Sequence, residues 1–198
     1  MSSSLLSSLY SLAEDQMGYV TTAQGRGAGV SAEAMVMMER RGRLERVSRG
    51  VYRLVEFPTV AHAQYMQATL WPYGCRGVLS HETALSLYQL SDVAPAKVHI
   101  TVPIGFRVQR VIPGYLVVHH EDLPSGDVSR LEAMPITTPT RTIRDCIAAH
   151  LGPALVRQAI EEARRAGMLN AATATALDGA LRTAEGGIEA VARRRVPP

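Results

Sequence analysis

Arginine is the residue type whose spacing first points to chemistry in this chain. Between Arg26 and Arg53, seven arginines stand against three glutamates, a local balance of +4 compared with +3 for all 198 residues. Lys97 is the single lysine among 21 basic residues. A guanidinium carries a planar fork of donors that fits phosphate oxygens and guanine edges. Arg40, Arg41, Arg43, Arg46, Arg49 and Arg53 are therefore candidate nucleic-acid contacts. Arg49 is placed for a minor groove and the others for phosphates. The alternative is a solvated surface with ordinary ion pairs to Glu39 and Glu45.

Other residues that could do chemistry are scattered. His81-Glu82 reads as helix-start chemistry, with the acid favouring the dipole. His99 lies on the polar side of an alternating run, and His119-His120 point to opposite faces of a strand, so these two neighbours cannot share one metal. Arg141 and Asp145 have the i,i+4 spacing of a helix pair. Glu161-Glu162 before Arg164-Arg165 reads as a solvated face. No HExxH, GxSxG or paired cysteines occur, and the GRGAG string at 25–29 lacks the Lys-Ser/Thr of a phosphate loop. The expectation is no catalytic residue, no metal and no cofactor.

The elements that would carry the arginines follow from period and punctuation. Leu5, Leu6, Leu9, Leu12 and Ala13 recur at helical spacing and stop at Gly18. Thr21 or Thr22 caps a second short helix, which holds Gly25 and Gly27 at about 1 kcal/mol each relative to Ala. Ser31 caps a third helix ending at Gly42. LERV and VYRL then flank Ser48-Arg49-Gly50, a three-residue hairpin connection. Helix, helix, turn, helix and a basic hairpin predict a winged helix-turn-helix over residues 1–56. Its third helix presents Ala32, Glu33, Val36, Met37 and Arg40 on one face. Val36 and Met37 suit a thymine methyl or contact with the rest of the protein. Thr22, at the start of the second helix, and Ser31 complete the candidate DNA-binding set.

Residues 57–198 predict a second, α+β domain. Expected elements are helices at Val60–Trp71 and His81–Leu90 (capped by Ser80), and strands at Val78–Leu79, Lys97–Val102, Arg107–Ile112, Tyr115–His120 and Met134–Thr137. Further helices open at Thr138-Pro139, Gly152-Pro153 and Asn170. In the strand KVHITV, Val98, Ile100 and Val102 face the core while Lys97, His99 and Thr101 face away. The sheet would be small and mixed or antiparallel, the C-terminal part helical, and residues 186–198 a loose basic tail.

Composition sets bounds on this reading. At 46% hydrophobic and 20% charged the chain suits a globular core rather than disorder. Cys75 and Cys146 are too few for a disulfide framework, and no apolar run is long enough to span a membrane. The start has neither a basic region nor a cleavage site, so a cytoplasmic location is expected.

Taken in order, GYVTTAQ, RRGRLERVSRGVYRL, VLSHETALSLYQLSDVAPAKVHITVP and ITTPTRTIRDCI resemble the AbiEi-family antitoxins over roughly residues 5–185. The resemblance implies an antitoxin of an AbiE-type, type IV toxin–antitoxin system. Its winged helix would bind inverted repeats in double-stranded DNA of its own promoter and repress the operon. The second domain would neutralise a nucleotidyltransferase-like toxin, with or without a lasting complex. The matched segments put His81, Glu82, Lys97, His99, Arg141 and Arg144 forward for that role. Leu155, Val156 and Ile160 are candidates for an apolar patch or for core. The competing readings are a regulator whose second domain binds a small effector, and an enzyme that uses the winged helix for targeting.

Overall fold

The computed structural model describes residues 2–108 and 111–194. The N-terminal part runs α1 (Ser2–Glu14), β1 (Tyr19–Thr21), α2 (Thr22–Gly27), α3 (Ala32–Arg40), β2 (Leu44–Ser48) and β3 (Val51–Leu54). Leu9 and Ala13, one turn apart on α1, are buried with Val20, Val30, Met35, Met38, Leu44 and Leu54. Thr21 and Gln24 form a reciprocal capping box at the start of α2. Gln24 also exchanges an amide hydrogen bond with Gln16 of 2.8 Å, which ties α2 to the end of α1. The Ser31 side chain accepts from the Ala34 amide and caps α3. A Cβ on Gly25 would lie 2.7 Å from Met35 Sδ, so a larger residue there would require the Met35 side chain to shift. That contact explains why the helix tolerates the residue.

The three N-terminal strands form an antiparallel sheet in the order β1-β3-β2. β1 is an addition to the expected hairpin. The turn is also shorter than expected, Arg49-Gly50, because the ladder shifts register between Arg46 and Ser48. The bulge at Val47 absorbs one residue.

The rest of the chain comprises α4 (Ala63–Leu70), β4 (Val78–Leu79), α5 (His81–Leu87), β5 (Val98–Val102), β6 (Leu116–His120), β7 (Val128–Leu131), β8 (Met134–Thr137), α6 (Pro139–Ala148), α7 (Pro153–Arg165) and α8 (Ala171–Arg194). The protein is therefore mixed α and β. The second sheet is mixed, in the order β6-β5-β4-β8-β7. β5–β6 and β4–β8 pair parallel, whereas β4–β5 and β7–β8 pair antiparallel. On α7, Val156, Ala159, Ile160 and Ala163 repeat at helical spacing and pack with Leu85, Ile143, Cys146, Ile147, Leu177 and Leu181.

Several expectations are corrected. Described residues of 107–112 are not a strand. A parallel β5–β6 pair requires a crossover from the end of one strand to the start of the next, and residues 103–115 are spent on that return. Gln109 and Arg110 lie outside the described residues. α4 begins at Ala63, after His62 in a left-handed conformation, rather than at Val60. α5 ends at Leu87 because Gln89 takes a positive φ of 56°. Residues 186–194 continue α8 instead of forming a loose tail, and 195–198 lie outside the described residues. Val156 and Ile160 are core, so they offer no exposed patch. Among the described residues, no helix is long and apolar enough to cross a membrane.

The two cysteines differ in environment. Cys146 is buried in the helical core, and burial pushes its thiol up to about 12. Cys75 is half-buried, and burial raises its thiol as well. Because the thiolate is the reactive form, only Cys75 is expected to react with a disulfide reagent in the folded chain. A titration should give one slow equivalent, abolished by Cys75→Ser, and a second only in denaturant. Two equivalents from the native chain would contradict this burial.

Candidate functional site

Two groups of side chains stand out. The first is the outer face of α3 together with the β2–β3 hairpin. Glu33, Met37 and Arg40 are exposed, Ala32 and Val36 half-buried, and Met35 and Met38 turn inward. Arg41, Arg46 and Arg49 are exposed as well. Arg43 pairs with Glu56 at 2.5 Å rather than with Glu39 or Glu45. Arg53 is half-buried and donates to the Phe57 carbonyl at 2.7 Å and to Thr59 Oγ1 at 3.3 Å. Ser31 is exposed, with its hydroxyl engaged as the α3 cap, and Thr22 is half-buried.

This face opens onto a cleft of about 770 Å³ shared with the second sheet's loops. Thr22, Val36, Arg46 and Arg49 line one wall, and Trp71, Tyr73, Phe106 and Arg107 line the other. Val36 faces the rest of the protein across the cleft, and Met37 faces solvent.

The second group lies where α5 meets the second sheet. β4 is only two residues long, so its ladder with β5 stops at Leu79. The start of α5 takes over the pairing. Ser80 donates its amide to the His99 carbonyl at 3.1 Å, and the His99 amide donates to Thr83 Oγ1 at 2.8 Å. Thr101 and His99 share one strand face, and that face is covered by α5 instead of facing solvent. Thr101 is consequently buried, and its hydroxyl donates to Ser80 Oγ at 2.8 Å. Ser80 Oγ in turn contacts His81 Nδ1 at 2.9 Å, so its side chain serves His81 and not the helix cap first expected.

The parallel register sets Thr101 beside His119 and His99 beside Val117, which makes His99 and His119 diagonal neighbours on one face. Their rings are hydrogen-bonded, Nδ1 to Nε2, at 3.1 Å. The His81 ring stacks on His119 with centroids 3.6 Å apart. Burial lowers all three imidazoles, His81 to about 3 and His119 to about 4, so they are neutral near pH 7. His120 points away and is exposed, as its strand position predicts.

Behind this cluster, Arg141 is held by three carboxylates. It donates through Nε to Asp145 at 2.6 Å, through Nη1 to Asp127 at 3.0 Å and through Nη2 to Glu121. Burial opposes the charge, but the three bonds raise its pKa above the usual arginine value. The Arg141–Asp145 spacing is the helix pair expected, but it is buried, and Asp127 and Glu121 were not foreseen as partners. Of the other residues singled out in this region, Lys97 and Arg144 are exposed and Glu82 is half-buried.

No curated protein matches the chain. Among solved structures, the RV2827C protein from Mycobacterium tuberculosis aligns over 87% of this chain and 79% of that one, with a TM-score of 0.41 and 14% identity. The N-terminal unit carries the more specific likeness: residues 7–55 match the family described as "Transcriptional regulator, AbiEi antitoxin", a class of regulators rather than enzymes.

Proposed function

We propose that the chain is a DNA-binding antitoxin. Residues 1–56 act as a winged helix, with α3 in the major groove and the β2–β3 hairpin as the wing, and residues 57–198 form the neutralising domain. The observation that carries this reading is the exposed α3 face beside Arg46 and Arg49 within the stretch matching the regulator family. A recognition helix offers its exposed N-terminal residues to base edges while flanking cations hold phosphates. In this reading the protein works in the cytoplasm, binds inverted repeats in its own promoter and represses the operon. It counters a nucleotidyltransferase-like toxin encoded beside it. Lys97, Arg144 and Glu82 would meet such a toxin, while the buried His81 and Arg141 would shape that surface.

The test has two arms. Binding to promoter DNA across a salt series should fall log-linearly, and Arg46→Ala and Arg49→Ala should each reduce the slope by about 1. Arg43→Ala should reduce it less, because Glu56 already takes its charge. Unchanged slopes would remove the hairpin from the DNA interface. In the second arm, a host expressing the adjacent open reading frame should grow poorly and recover when this chain is supplied. Co-purification from those cells would distinguish a lasting complex from indirect neutralisation.

The shared cleft favours one further reading, a regulator without a toxin whose effector binds between the two units. A ligand there would occupy the wall formed by Val36, Arg46 and Arg49, and so compete with DNA. Absence of toxicity from the neighbouring frame, with promoter binding retained, would select it.

A further inference from the structure

The histidine cluster lies outside the stretch proposed to bind DNA, and its three members come from separate elements. Their ligand atoms all lie within 4.8 Å of one another. The 3.1 Å between His99 Nδ1 and His119 Nε2 is close to the roughly 3.3 Å separating two nitrogens on a tetrahedral ion with bonds of about 2.0–2.1 Å. We propose that His81, His99 and His119 form a binding site for a divalent transition-metal ion of the zinc class, with a fourth position left to water.

Three observations support the site. Imidazole is a ligand that zinc and its neighbours in the first transition row prefer, and three of them converge here. The chain Thr101 hydroxyl to Ser80 Oγ to His81 Nδ1 fixes one ring from behind, as outer partners of metal-bound histidines do. Nε2 is then the nitrogen His81 would offer. His81 also holds a φ of 53° at the first position of α5 while only 9% exposed. Left-handed backbone at a bulky buried residue is strain of the kind found at binding sites.

Two adjustments are required. One of His99 Nδ1 and His119 Nε2 donates the hydrogen bond between them, so that ring must carry its proton on its other nitrogen before both can face the ion. The His81 and His119 rings are stacked within 11° of parallel, so their in-plane lone pairs run side by side. Convergence on one ion needs the His81 ring to turn out of the stack, a side-chain rotation that leaves α5 and the strands in place.

The experiment uses the full chain with any affinity tag removed, stripped with a chelator and titrated with Co²⁺ and then Zn²⁺. The expected result is one Co²⁺ per chain with visible tetrahedral absorption, displaced by one Zn²⁺. Ser80→Ala should weaken binding by about 10-fold, the lower end for an outer partner. His99→Ala and His119→Ala should each weaken it further, and the exposed His120→Ala should leave it unchanged. His99→Gln guards against loss of fold: Zn²⁺ should raise the thermal midpoint of the parent chain and of His120→Ala but not of this variant. The proposal is overturned if the parent chain fails to bind either ion at millimolar concentration. Equal loss in His120→Ala and His99→Ala would overturn it too. It makes no use of the DNA reading, and either can fail alone.

Discussion

Arg141→Met is expected to lower folding stability by about 3–5 kcal/mol, the range for removing one partner of a buried ion pair. The readout is a lower urea midpoint with an unchanged slope. The size follows from what is left behind. The Arg141 and Asp145 side chains are 6% and 7% exposed, so deleting the guanidinium strands a carboxylate in the interior. Asp145 Oδ2 has no hydrogen-bond partner even with the arginine in place. Burial already raises the Asp145 carboxyl above its ordinary pKa, so in the variant it escapes part of the penalty by taking up a proton. Replacing Asp145 as well, by leucine, should recover much of the loss, since it removes the stranded group. Glu121→Gln touches the same guanidinium from a half-exposed position and should cost less than about 1 kcal/mol. Equal losses for Glu121→Gln and Arg141→Met would show that burial is not what gives the network its weight.

Gly18→Val should be the second severe change, at about 3 kcal/mol or more, combining backbone strain with overpacking of about 1–3 kcal/mol each. Gly18 has a φ of +88°, outside the range a β-branched residue accepts. A Cβ there would also lie 2.7–2.9 Å from the Phe57 side chain, including Phe57 Cβ, which cannot swing aside. The double variant Gly18→Val with Phe57→Ala separates the contributions: relieving the contact should return the steric part and leave the conformational one. Additive losses in that cycle would mean that the Phe57 contact has no part in the effect.

Legibility in the sequence tracked how local each signal was. The α3 helix could be read because Ser31, the Met35/Met38 inward positions and Gly42 all lie within a dozen residues. The same holds for α6 and α7, opened by Thr138-Pro139 and Gly152-Pro153. β1 was missed because Tyr19–Thr21, whose last residue is itself the helix cap, is too short to show an alternation. β7 was missed because VSRL is short and half polar, and its place is fixed by pairing with β8. The strand expected at 107–112, absent from the described residues of that segment, had the right residue types, but its identity depends on β5 and β6 being parallel, a non-local fact. The histidine cluster was hidden for the same reason. His99 and His119 are 20 residues apart and meet only through the β5–β6 register, while His81 arrives because β4 is too short to complete its ladder. What could be read from the chain was that His119 and His120 face opposite ways.

Met17, Tyr19 and Val51 pack into the same apolar cluster as Met66, Trp71, Leu79, Ile100 and Ile136, away from the Leu9–Met35 core of their own unit. The head of the molecule is thus set into the body by side chains that neither part could leave in water without cost. A fragment cut at residue 56 would carry those three residues as a bare adhesive surface. In the intact chain, the same joint obeys linkage. If residues 1–56 bind DNA as proposed and that binding depends on how the joint is seated, a partner of the body that reseats it would change affinity for DNA by the same factor that DNA changes affinity for that partner. Such coupling would run through one continuous patch of hydrocarbon.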